Sequence, residues 1–564
     1  MKKRILAAML ASVMVMSLVA CGGSETTTAT TEDGGSTTTA EASTDSEDTF
    51  MKVTTTMTTD PSTLDPGRSD DTQKNAIILE SQETLLRLID GELTEAGAES
   101  YTISDDGLVW TFTLRENGYS DGTQVVAQDY VNSIRRVFDP EVNCHNAGIF
   151  YCIVGGEEFN TGVGTEEDVA AVALDDLTLE ITLTESLPYF AQLLTFANIT
   201  PVPESKTEGD ANSTYGGSAE ELSQCGPFYV SEWTKGSKVV LTKNPYYWDA
   251  ENIQLDEVEM LLAEEVNTRQ QLFDAGEIDI ITSVTSEYLE LKQDTIDSGE
   301  VILDEGPLPR NTYICFNNED PDGVFSNANI RKAFAIAFNR DDYAEKVLGT
   351  GTAALGEIPY GTAIGSDLFR DLYEEPMQEL LDQDAVALLE LGLEEIGRAG
   401  ETLEVTFMAK NSDTTTKTAA EYYQAQWQEK LGVVVNIVTA ADNSTFNNTV
   451  SSGLYQICET GWGADYNDPM TFMQCYTTGD GNNPAFYSNE EYDELVYATM
   501  TEQDNAVRAE YFAQAEYILT VEDCGISPVT FAYQNTLISS SLKNVYVNGA
   551  GGPDIEYRDA YIEE

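Results

Sequence analysis

TGWGADYNDPMTF, from Thr460 to Phe472, sets one acidic side chain between a glycine and tryptophan cluster and a turn signal. Glycine allows a close approach of the backbone to another molecule, and an indole can separate a carboxylate from water. Asp465 is therefore a candidate for binding a cationic group. The alternative interpretation is that Asp465 caps a turn and that Trp462 belongs to the core.

The composition is that of a large and strongly acidic globular protein. A chain of 564 residues is too long for one small core, so we expect two or three lobes. Lys and Arg number 29 against 98 Asp and Glu, which gives a net charge of -69. Such a surface repels phosphate, so we expect no nucleic acid partner. It attracts cationic or zwitterionic ligands and favours solubility.

The N-terminal residues predict export from the cytoplasm. MKKRILAAMLASVMVMSLVAC begins with three cations and continues with an uncharged run from Ile5 to Ala20. The run is shorter than the ~20 apolar residues that span a bilayer comfortably, and its flanks are typical of a signal peptide, which we predict at residues 1–20. An uncleaved helical anchor is the alternative. Residues 21–49 have no aromatic residue and predict a disordered tether.

Alternating apolar and polar residues predict several strands in the body of the chain. Three of them are residues 109–114 (VWTFTL), 178–183 (TLEITL) and 238–241 (KVVL). The periodicity from Ile330 to Leu348 predicts a helix, for which Asn329 is the expected N-cap. No stretch after the leader is long and apolar enough to predict a membrane-spanning helix.

The segment from Leu403 to Thr439 predicts a βαβ unit. A strand (LEVTFMA) precedes a helix in which Tyr423, Trp427 and Leu431 recur every four residues, and a second strand (GVVVNIV) follows. The second run is apolar enough to predict a buried strand. We expect the two strands to be parallel and joined by a right-handed crossover.

The Asp465 segment resembles the WxADYxxP signature of the family 5 extracellular solute-binding proteins, the oligopeptide-binding type of ABC import systems. Other segments resemble landmarks of this family and follow in the family's order. They are Thr63–Pro66 (TLDP), Thr113–Gly122 (TLRENGYSDG), Val125–Pro140 (VVAQDYVNSIRRVFDP), Val239–Asp249 (VVLTKNPYYWD), Asn329–Arg340 and Leu431–Val435.

The resemblance implies an α/β fold of the periplasmic-binding-protein-like type II, with two lobes, a hinge and an extra inserted domain. Lobe I is expected to be discontinuous, built from residues 50–82, 201–309 and 531–564. The inserted domain is expected at residues 83–200. Lobe II is expected at residues 310–530 and carries Asp465.

The resemblance also implies a function. The chain is expected to be a monomer without a cofactor that captures peptides between its lobes and delivers them to the permease and ATPase subunits of an ABC transporter. In peptide-binding members the aspartate of the signature receives the ligand's α-ammonium, which assigns that role to Asp465. Gly461, Gly463 and Ala464 are expected to offer a backbone edge, and Trp462 to line a side-chain pocket.

Other positions match or depart from the family. Asp70, Asp71 and Thr72 match a segment that touches the peptide in relatives. Val450 and Glu459 stand where the enteric relatives place two arginines toward the C-terminal carboxylate of the peptide. Glu459 would repel a carboxylate, so the resemblance implies that this chain handles that end of its ligand differently.

The ending LVAC before GGS resembles a bacterial lipobox. This resemblance implies cleavage before Cys21, lipidation of that residue, and anchoring of the protein to the extracytoplasmic face of the cell membrane. Several acyl chains anchor a protein durably, whereas a single chain binds only marginally.

Catalytic and metal-binding motifs are sparse. The single histidine, His145, rules out an HExxH zinc site, and no GxxxxGK[ST] loop is present, so ATP must be hydrolysed by another protein. An acidic run that begins at Asn318 imitates a calcium loop but has Asn329 where a bidentate glutamate is required. We predict neither an enzyme nor a metal site. The alternatives are a binder of an oligosaccharide or metal chelate on the same fold and, more remotely, a surface glycosidase or an adhesin.

The cysteine count leaves one thiol without a partner. Of 8 cysteines, Cys21 is assigned to the lipid, which leaves an odd number. Cys144 and Cys152 form the most plausible local disulfide, with reduced buried thiols as the alternative. The enteric relatives have a disulfide cysteine where this chain has Gly463, so that bridge is expected to be absent.

Overall fold

The structure is a computed structural model that describes residues 50–89, 91–207, 213–549 and 555–563. The predicted signal peptide and tether, including Cys21, lie outside the described residues. In the described part of the chain no helix has both the length and the apolar character that crossing a bilayer requires.

The strands form three large sheets and several short hairpins. In chain order they are β1 (Lys52–Met57), β2 (Leu86–Ile89), β3 (Glu92–Glu95), β4 (Ala98–Ile103), β5 (Val109–Leu114), β6 (Ala171–Asp175), β7 (Thr178–Thr182), β8 (Phe228–Thr234), β9 (Lys238–Lys243), β10 (Glu257–Leu262), β11 (Ile280–Ile281), β12 (Val301–Phe316), β13 (Thr352–Ala353), β14 (Ala363–Ile364), β15 (Asp367–Leu368), β16 (Glu404–Ala409), β17 (Val434–Thr439), β18 (Ile457–Gly463), β19 (Ile526–Ser539), β20 (Leu542–Lys543), β21 (Tyr546–Val547), β22 (Ile555–Glu556) and β23 (Tyr561–Ile562).

The α-helices range from single turns to one long helix. In chain order they are α1 (Thr72–Ser81), α2 (Ala127–Phe138), α3 (Gly156–Asn160), α4 (Phe190–Leu193), α5 (Glu204–Thr207), α6 (Val266–Asp274), α7 (Ser286–Asp297), α8 (Ala328–Ile336), α9 (Arg340–Tyr343), α10 (Phe369–Leu372), α11 (Gln378–Leu381), α12 (Ala385–Glu395), α13 (Thr414–Leu431), α14 (Asn443–Ser451), α15 (Met470–Met473), α16 (Glu490–Thr501) and α17 (Asn505–Tyr517). Two π-helical segments, Ala344–Leu348 and Ile518–Glu522, continue α9 and α17.

The three large sheets divide the described chain. The first has the strand order β1-β10-β9-β8, with β1 parallel to β10. The second is the antiparallel sheet β4-β5-β7-β6. The third has seven strands in the order β11-β19-β12-β18-β16-β17, with β13 on the side of β19. The third sheet carries the Asp465 segment.

The two longest strands connect the first sheet to the third. β12 and β19 pair from Val301↔Ser539 to Cys315↔Ile526, with irregular register after Pro307. At one end of this ladder β11 pairs with β19, and Asp279 beside β11 accepts a hydrogen bond from the backbone N of Thr54 in β1 (2.7 Å). At the other end β12 pairs with β18. The β12–β19 ladder therefore ties the Asp465 segment to the opposite side of the molecule.

The sequence predicted the strands better than the helix after Asn329. The predicted strand at 109–114 is confirmed as β5, and the other two are confirmed with small changes of their ends. The single helix from Ile330 to Leu348 is wrong. Its N-cap is Asn327, whose side chain accepts from the Ile330 N–H, whereas Asn329 donates to Glu395. A second capping asparagine, Asn339, accepts from the Asp342 N–H and restarts the helix as α9, because capping side chains compete with helix continuation.

The βαβ unit is confirmed, but one of its strands is less buried than expected. β16 and β17 are parallel and α13 lies between them in the chain. β17 is the last strand of its sheet, and Val434 and Val438 are 42% and 51% exposed. The prediction of a buried strand is wrong. A run of valines indicates a preference for strand structure, but it does not show whether a neighbouring element covers the strand.

No disulfide forms among the described residues, so of the two interpretations of Cys144 and Cys152 left open by the sequence, the reduced thiols agree with the structure. The unpaired cysteines are Cys144, Cys152, Cys225, Cys315, Cys458, Cys475 and Cys524. Burial raises the pKa of Cys144 to about 11 and that of Cys152 to about 12. Both thiols therefore stay protonated near neutral pH and are poor nucleophiles for disulfide exchange.

Buried arginines hold distant segments together. Arg508 in α17 donates to both oxygens of Asp468, at 3.0 and 2.9 Å, and both side chains are almost fully buried. Arg370 pairs in the same way with Glu516, whose carboxylate also accepts from the backbone N of Ile358. Removal of one partner from such a pair leaves a buried charge without compensation.

Arg508→Met is therefore expected to lower the free energy of unfolding by about 3–5 kcal/mol, because Asp468 then stays buried without a cation. The control is Lys417→Met, since Lys417 and Glu421 form an exposed pair at 3.8 Å that should contribute less than ~1 kcal/mol. Urea unfolding followed by tryptophan fluorescence measures both. Equal midpoints for Arg508→Met and the parent protein would contradict this description of the pair.

Candidate functional site

β18 is hydrogen-bonded on one side only over its second half. Its pairing with β12 runs from Phe316↔Ile457 to Arg310↔Gly463, whereas its pairing with β16 stops at Met408↔Cys458. No other strand of the described residues pairs with residues 459–463. The side of β18 that faces away from β12 is therefore an open edge, which can accept an added strand.

The direction of the backbone groups shows which residues face the open edge. The Trp462 N–H donates to the Asn311 side chain (3.0 Å) and the Ala464 N–H to the Pro309 carbonyl (2.8 Å), both toward β12. Neighbouring residues in a strand direct these groups to opposite sides. Gly461 and Gly463 therefore present their N–H and C=O groups to the open edge.

The glycine at 461 also has a reason within the fold. A Cβ atom at Gly461 would lie 2.3 Å from the carbonyl oxygen of Asn311, which the backbone of β12 cannot accommodate without a shift. At Gly463 a Cβ would approach the Arg310 side chain at 3.2 Å, a contact that a flexible side chain can relieve. Close approach of β12 thus requires glycine at 461, whatever binds at the open edge.

A cavity of about 200 Å³ lies beside the open edge. It occupies the ends of β16 and β18 and the start of α13, at the carboxyl ends of parallel strands where α/β proteins commonly bind ligands. The residues that line it are Thr312, Phe407, Met408, Ala409, Lys410, Thr416, Ala419, Glu459, Thr460 and Gly461.

Asp465 follows the end of β18 and is half-buried. Its backbone N–H donates to the Thr471 hydroxyl (3.1 Å). Burial raises the pKa of its carboxyl group to about 6, although a side-chain hydrogen bond between Thr471 and the carboxylate and the charge of His145 lower it. Asp465 has no ion-pair partner among the described residues. An added cation at this position would relieve the burial penalty.

The turn after Asp465 is held from several directions. Tyr466 stacks on Tyr189 with ring centroids 5.1 Å apart and an interplanar angle of 8°. Asn467 accepts from the Ala363 N–H (2.9 Å), and Asp468 is the partner of Arg508. These contacts fix the backbone on which Asp465 sits, so its carboxylate is positioned by the fold before any ligand arrives.

Trp462 packs against the core and has an unused polar group. It is half-buried beside the large core cluster that contains Tyr313 and Tyr466, as the structural interpretation of Trp462 expects. Its indole Nε1 is buried and has no hydrogen-bond partner in the described part of the protein. Its predicted place in a ligand pocket stays a prediction.

Glu459 lies on β18 at the cavity and is held by two tyrosines. The hydroxyls of Tyr343 and Tyr423 both donate to its Oε2 atom at 2.5 Å, and the two rings stack with centroids 4.9 Å apart. Burial raises the pKa of the Glu459 carboxyl group, and the two hydroxyl donors oppose this effect. Val450, the other departure from the enteric relatives, is buried in α14.

The predicted site residues Asp70, Asp71 and Thr72 lie at the start of α1 and are exposed. Asp71 is the N-cap and accepts from the Lys74 N–H (2.9 Å). The ammonium group of Lys74 pairs with Asp70 and, at 3.1 Å, with Asp71. Helix capping and this ion pair account for both aspartates, and their contact with a ligand stays a prediction.

The adjacent residues Cys144 and His145 each interact electrostatically with one of the predicted site residues. The charge of Asp70 contributes to the raised pKa of the Cys144 thiol, and the charge of His145 lowers the pKa of Asp465. No role at the site was predicted for His145, because a lone histidine carries no motif.

The residues that bind Asn311, whose side chain accepts from the backbone N–H of Trp462, were not predicted from the sequence. The side-chain amide of Asn311 donates to the backbone carbonyl oxygen and to the Oε1 atom of Glu357, both at 2.7 Å. The hydroxyl of Tyr476 donates to the same Oε1 atom at 2.7 Å. Burial raises the pKa of Glu357 to about 8. These residues are far apart in the chain, so no local pattern could have revealed them. No cluster of three or more potential metal ligands occurs among the described residues.

A second cavity of about 450 Å³ opens where the register of β12 and β19 is irregular. It is mostly apolar, and Tyr360 covers one side with its ring edge-on to Phe531. The residues that line it are Pro307, Thr352, Ala353, Tyr360, Phe531, Ala532 and Tyr533.

The unpaired state of Asp465 predicts an unusual effect on stability. Its pKa in the folded protein, about 6, lies above its ordinary value of 3.8, so ionisation costs stability as the pH rises through this interval. Asp465→Asn avoids that cost and should leave the melting temperature at pH 7.5 equal or higher. The difference should vanish below about pH 4, where Asp465 is protonated in both states.

The matched control is Asp468→Asn, three residues along, where the aspartate has an arginine partner. This variant should lower the melting temperature at pH 7.5, because it leaves the Arg508 charge buried and unpaired. Differential scanning calorimetry distinguishes the two. A loss of stability in Asp465→Asn as large as in Asp468→Asn would show that Asp465 has a structural role.

Comparison with known proteins places this arrangement in a family. The model of the bacterial extracellular solute-binding proteins, family 5, middle part, matches residues 92–484. The oligopeptide-binding protein OppA of Bacillus subtilis is 30% identical over 518 residues, which cover 90% of this chain and 91% of that protein.

Solved structures agree with the sequence comparison. The substrate-binding domain of an oligopeptide ABC transporter from Bacillus anthracis superposes with a TM-score of 0.75 at 26% identity, covering 92% of this chain and 99% of the other. OppA of Listeria monocytogenes bound to peptide gives a TM-score of 0.73 at 26% identity over 92% of this chain and all of the other. The predicted two-lobed type II fold is confirmed. The chain therefore belongs to the family 5 bacterial extracellular solute-binding proteins.

Proposed function

We propose that this protein captures peptides outside the cytoplasm and delivers them to the permease and ATPase subunits of an ABC transporter. The proposal rests on the open edge of β18 at residues 459–463. Asp465 follows this edge in the chain, and its half-buried carboxylate has no ion-pair partner among the described residues. An extended chain with a positively charged terminus complements both features.

The open edge accounts for binding that does not depend on side chains. A peptide added alongside β18 would form backbone hydrogen bonds with Gly461 and Gly463, each contributing ~1 kcal/mol. Such bonds are common to every extended peptide. A protein that relies on them can therefore accept many sequences.

Asp465 supplies the anchor for one end of the peptide. Burial raises its pKa because it destabilises the ionised carboxylate, which has no ion-pair partner among the described residues, and the α-ammonium group of a peptide would stabilise that ionised form. The charge of His145 favours the ionised form of this carboxylate. We propose that Trp462, Ala464, Asp70, Asp71 and Thr72 complete the surroundings of the peptide, the last three from the other lobe.

The names of the similar proteins support this proposal. The relative from Bacillus subtilis is an oligopeptide-binding protein, and the structure from Listeria monocytogenes contains a bound peptide. The lobe boundaries at residues 82, 200, 309 and 530 and a hinge through β12 and β19 also belong to the proposal. The ladder that these strands form fits a hinge because it is the long connection between the first and third sheets.

We further propose that the protein is a monomeric lipoprotein anchored through Cys21 at the extracytoplasmic face of the membrane. The lipobox-like LVAC sequence supports this part of the proposal. A tether of residues 21–49 would let the binding domain reach its permease while the lipid keeps it at the membrane.

Asp465 and the peptide terminus provide the direct test. Asp465→Asn should weaken the binding of a peptide with a free N-terminus about 100-fold at pH 7.5, equivalent to about 2.7 kcal/mol, and N-acetylation of the peptide should have a similar effect on the parent protein. Affinity of the parent protein should also fall as the pH drops below about 6, where Asp465 becomes protonated, and the Asp465→Asn variant should lack this dependence. Isothermal titration calorimetry measures all three effects.

The control for this test is Asp384→Asn, which retains a helix-capping side chain at the start of α12 and lies outside the proposed peptide site. Equal affinity of Asp465→Asn and the parent protein would remove Asp465 from the site. Binding of an uncharged solute in preference to every peptide would contradict the proposed function.

Treatment of producing cells with globomycin tests the anchor. Inhibition of the lipoprotein signal peptidase should leave a longer precursor, and Cys21→Ala, which removes the residue that is lipidated before cleavage, should leave a precursor of the same length. Immunoblots of membrane and soluble fractions measure this. An unchanged size and membrane retention after both treatments would contradict the lipoprotein proposal.

A further inference from the structure

We propose that the cavity beside Glu459 binds the cationic side chain of a lysine or arginine in the captured peptide, so that the protein prefers basic peptides. This inference rests on the proposed function and adds the class of side chain. It concerns the cavity of about 200 Å³ between the ends of β16 and β18 and the start of α13.

The carboxylate of Glu459 is fixed in place but is not neutralised. The hydroxyls of Tyr343 and Tyr423 both donate to Oε2, which holds the group in one orientation. Neither Oε1 nor Oε2 has an ion-pair partner among the described residues. A carboxylate that is held by neutral donors and shielded from water attracts a cation strongly, because little solvent has to be displaced from it.

Two buried carboxylates elsewhere in the described chain have arginine partners, and a third, Glu357, is held by the neutral donors Asn311 and Tyr476. Asp468 pairs with Arg508, and Glu516 pairs with Arg370. Glu459 and Asp465 differ from these three because Glu459 lies on β18 beside its open edge, Asp465 follows the end of that strand, and neither forms an ion pair within the described residues. The fold therefore leaves two carboxylates for cations from outside, and a basic peptide has both an α-ammonium group and a charged side chain.

The walls of the cavity suit a long side chain with a charged end. Phe407, Met408, Ala409 and Ala419 supply apolar surface, against which the methylene groups of lysine or arginine can pack. Hydroxyl groups of threonines, including Thr460, line the same cavity. At ~30 Å³ per water molecule its volume corresponds to about seven waters, which suits one long side chain and not a folded ligand.

The cavity also has a cation at its rim. Lys410 follows β16, is exposed, and has no ion-pair partner in the described part of the chain. Its flexible side chain can turn to solvent, but its charge opposes that of a basic ligand. Lys410→Met should therefore strengthen the binding of a basic peptide or leave it unchanged.

The distance along β18 predicts where the basic residue must stand in the peptide. At ~3.3 Å per residue, Glu459 lies about 13 Å along the strand from Gly463, and Asp465 lies farther in the same direction. A peptide whose ammonium group binds Asp465 would run antiparallel to β18. Its basic side chain would reach the cavity from roughly the fourth to the sixth position.

The experiment compares two octapeptides that differ at the fifth position, one with lysine and one with norleucine, which has no charge. By calorimetry the parent protein should bind the lysine peptide at least tenfold more tightly. Glu459→Gln keeps an acceptor for Tyr343 and Tyr423 and should abolish this preference without weakening the norleucine peptide. Glu404→Gln, at an exposed position of β16, is the control and should retain the preference.

A measurement at high salt distinguishes the local effect of Glu459 from the effect of the net charge of -69. At 0.5 M salt long-range attraction is screened within a few ångströms, whereas a preference that depends on Glu459 in a shielded cavity should persist. Equal binding of the two peptides to the parent protein, or an undiminished preference in Glu459→Gln, would overturn this inference and leave the proposed function intact. Failure of both peptides to bind would contradict the proposed function and the inference together.

Discussion

Backbone N–H and C=O groups in a strand must pair on both sides or face solvent, and the second half of β18 is paired only with β12. This constraint arises because β16 ends its pairing at Met408 while β12 continues to Arg310. The open edge, the cavity beside it and the exit of the chain toward Asp465 all follow from that difference in length. The site is therefore a place where the sheet is incomplete.

The carboxylates of Asp465 and Glu459 would orient a cationic ligand along this open edge. The fold pairs Asp468 and Glu516 with arginines but provides no ion-pair partner for Asp465 or Glu459 among the described residues. Burial of these carboxylates destabilises the ligand-free protein, and a cationic ligand removes that destabilisation. Because the site is less stable when it is empty, burial of these charges contributes to affinity as well as to placement. The strongly negative surface brings cationic ligands near but does not orient them.

The sequence predicted the parts of this arrangement that depend on local patterns. Alternation at Val109–Leu114 and the βαβ unit around α13 are confirmed, since strand periodicity and helix periodicity are local properties. The segment around Asp465 carried enough of the family signature to predict the fold. The helix after Asn329 was mispredicted because Asn327 caps its start and Asn339 caps a second helix, and the sequence pattern alone does not show which asparagine accepts the capping hydrogen bond. The roles of Glu357 and of the two tyrosines at Glu459 depend on tertiary contacts and left no local signal.

The proposed function depends on a peptide backbone lying along β18. Amide hydrogen exchange resolved to single residues measures this directly, because Gly461 and Gly463 face the open edge while Trp462 and Ala464 donate toward β12. Saturation with a peptide that has a free N-terminus should slow exchange at Gly461 and Gly463 by at least tenfold. Trp462 and Ala464, already hydrogen-bonded in the free protein, should change much less. Unchanged exchange at both glycines under saturating peptide would contradict the central claim.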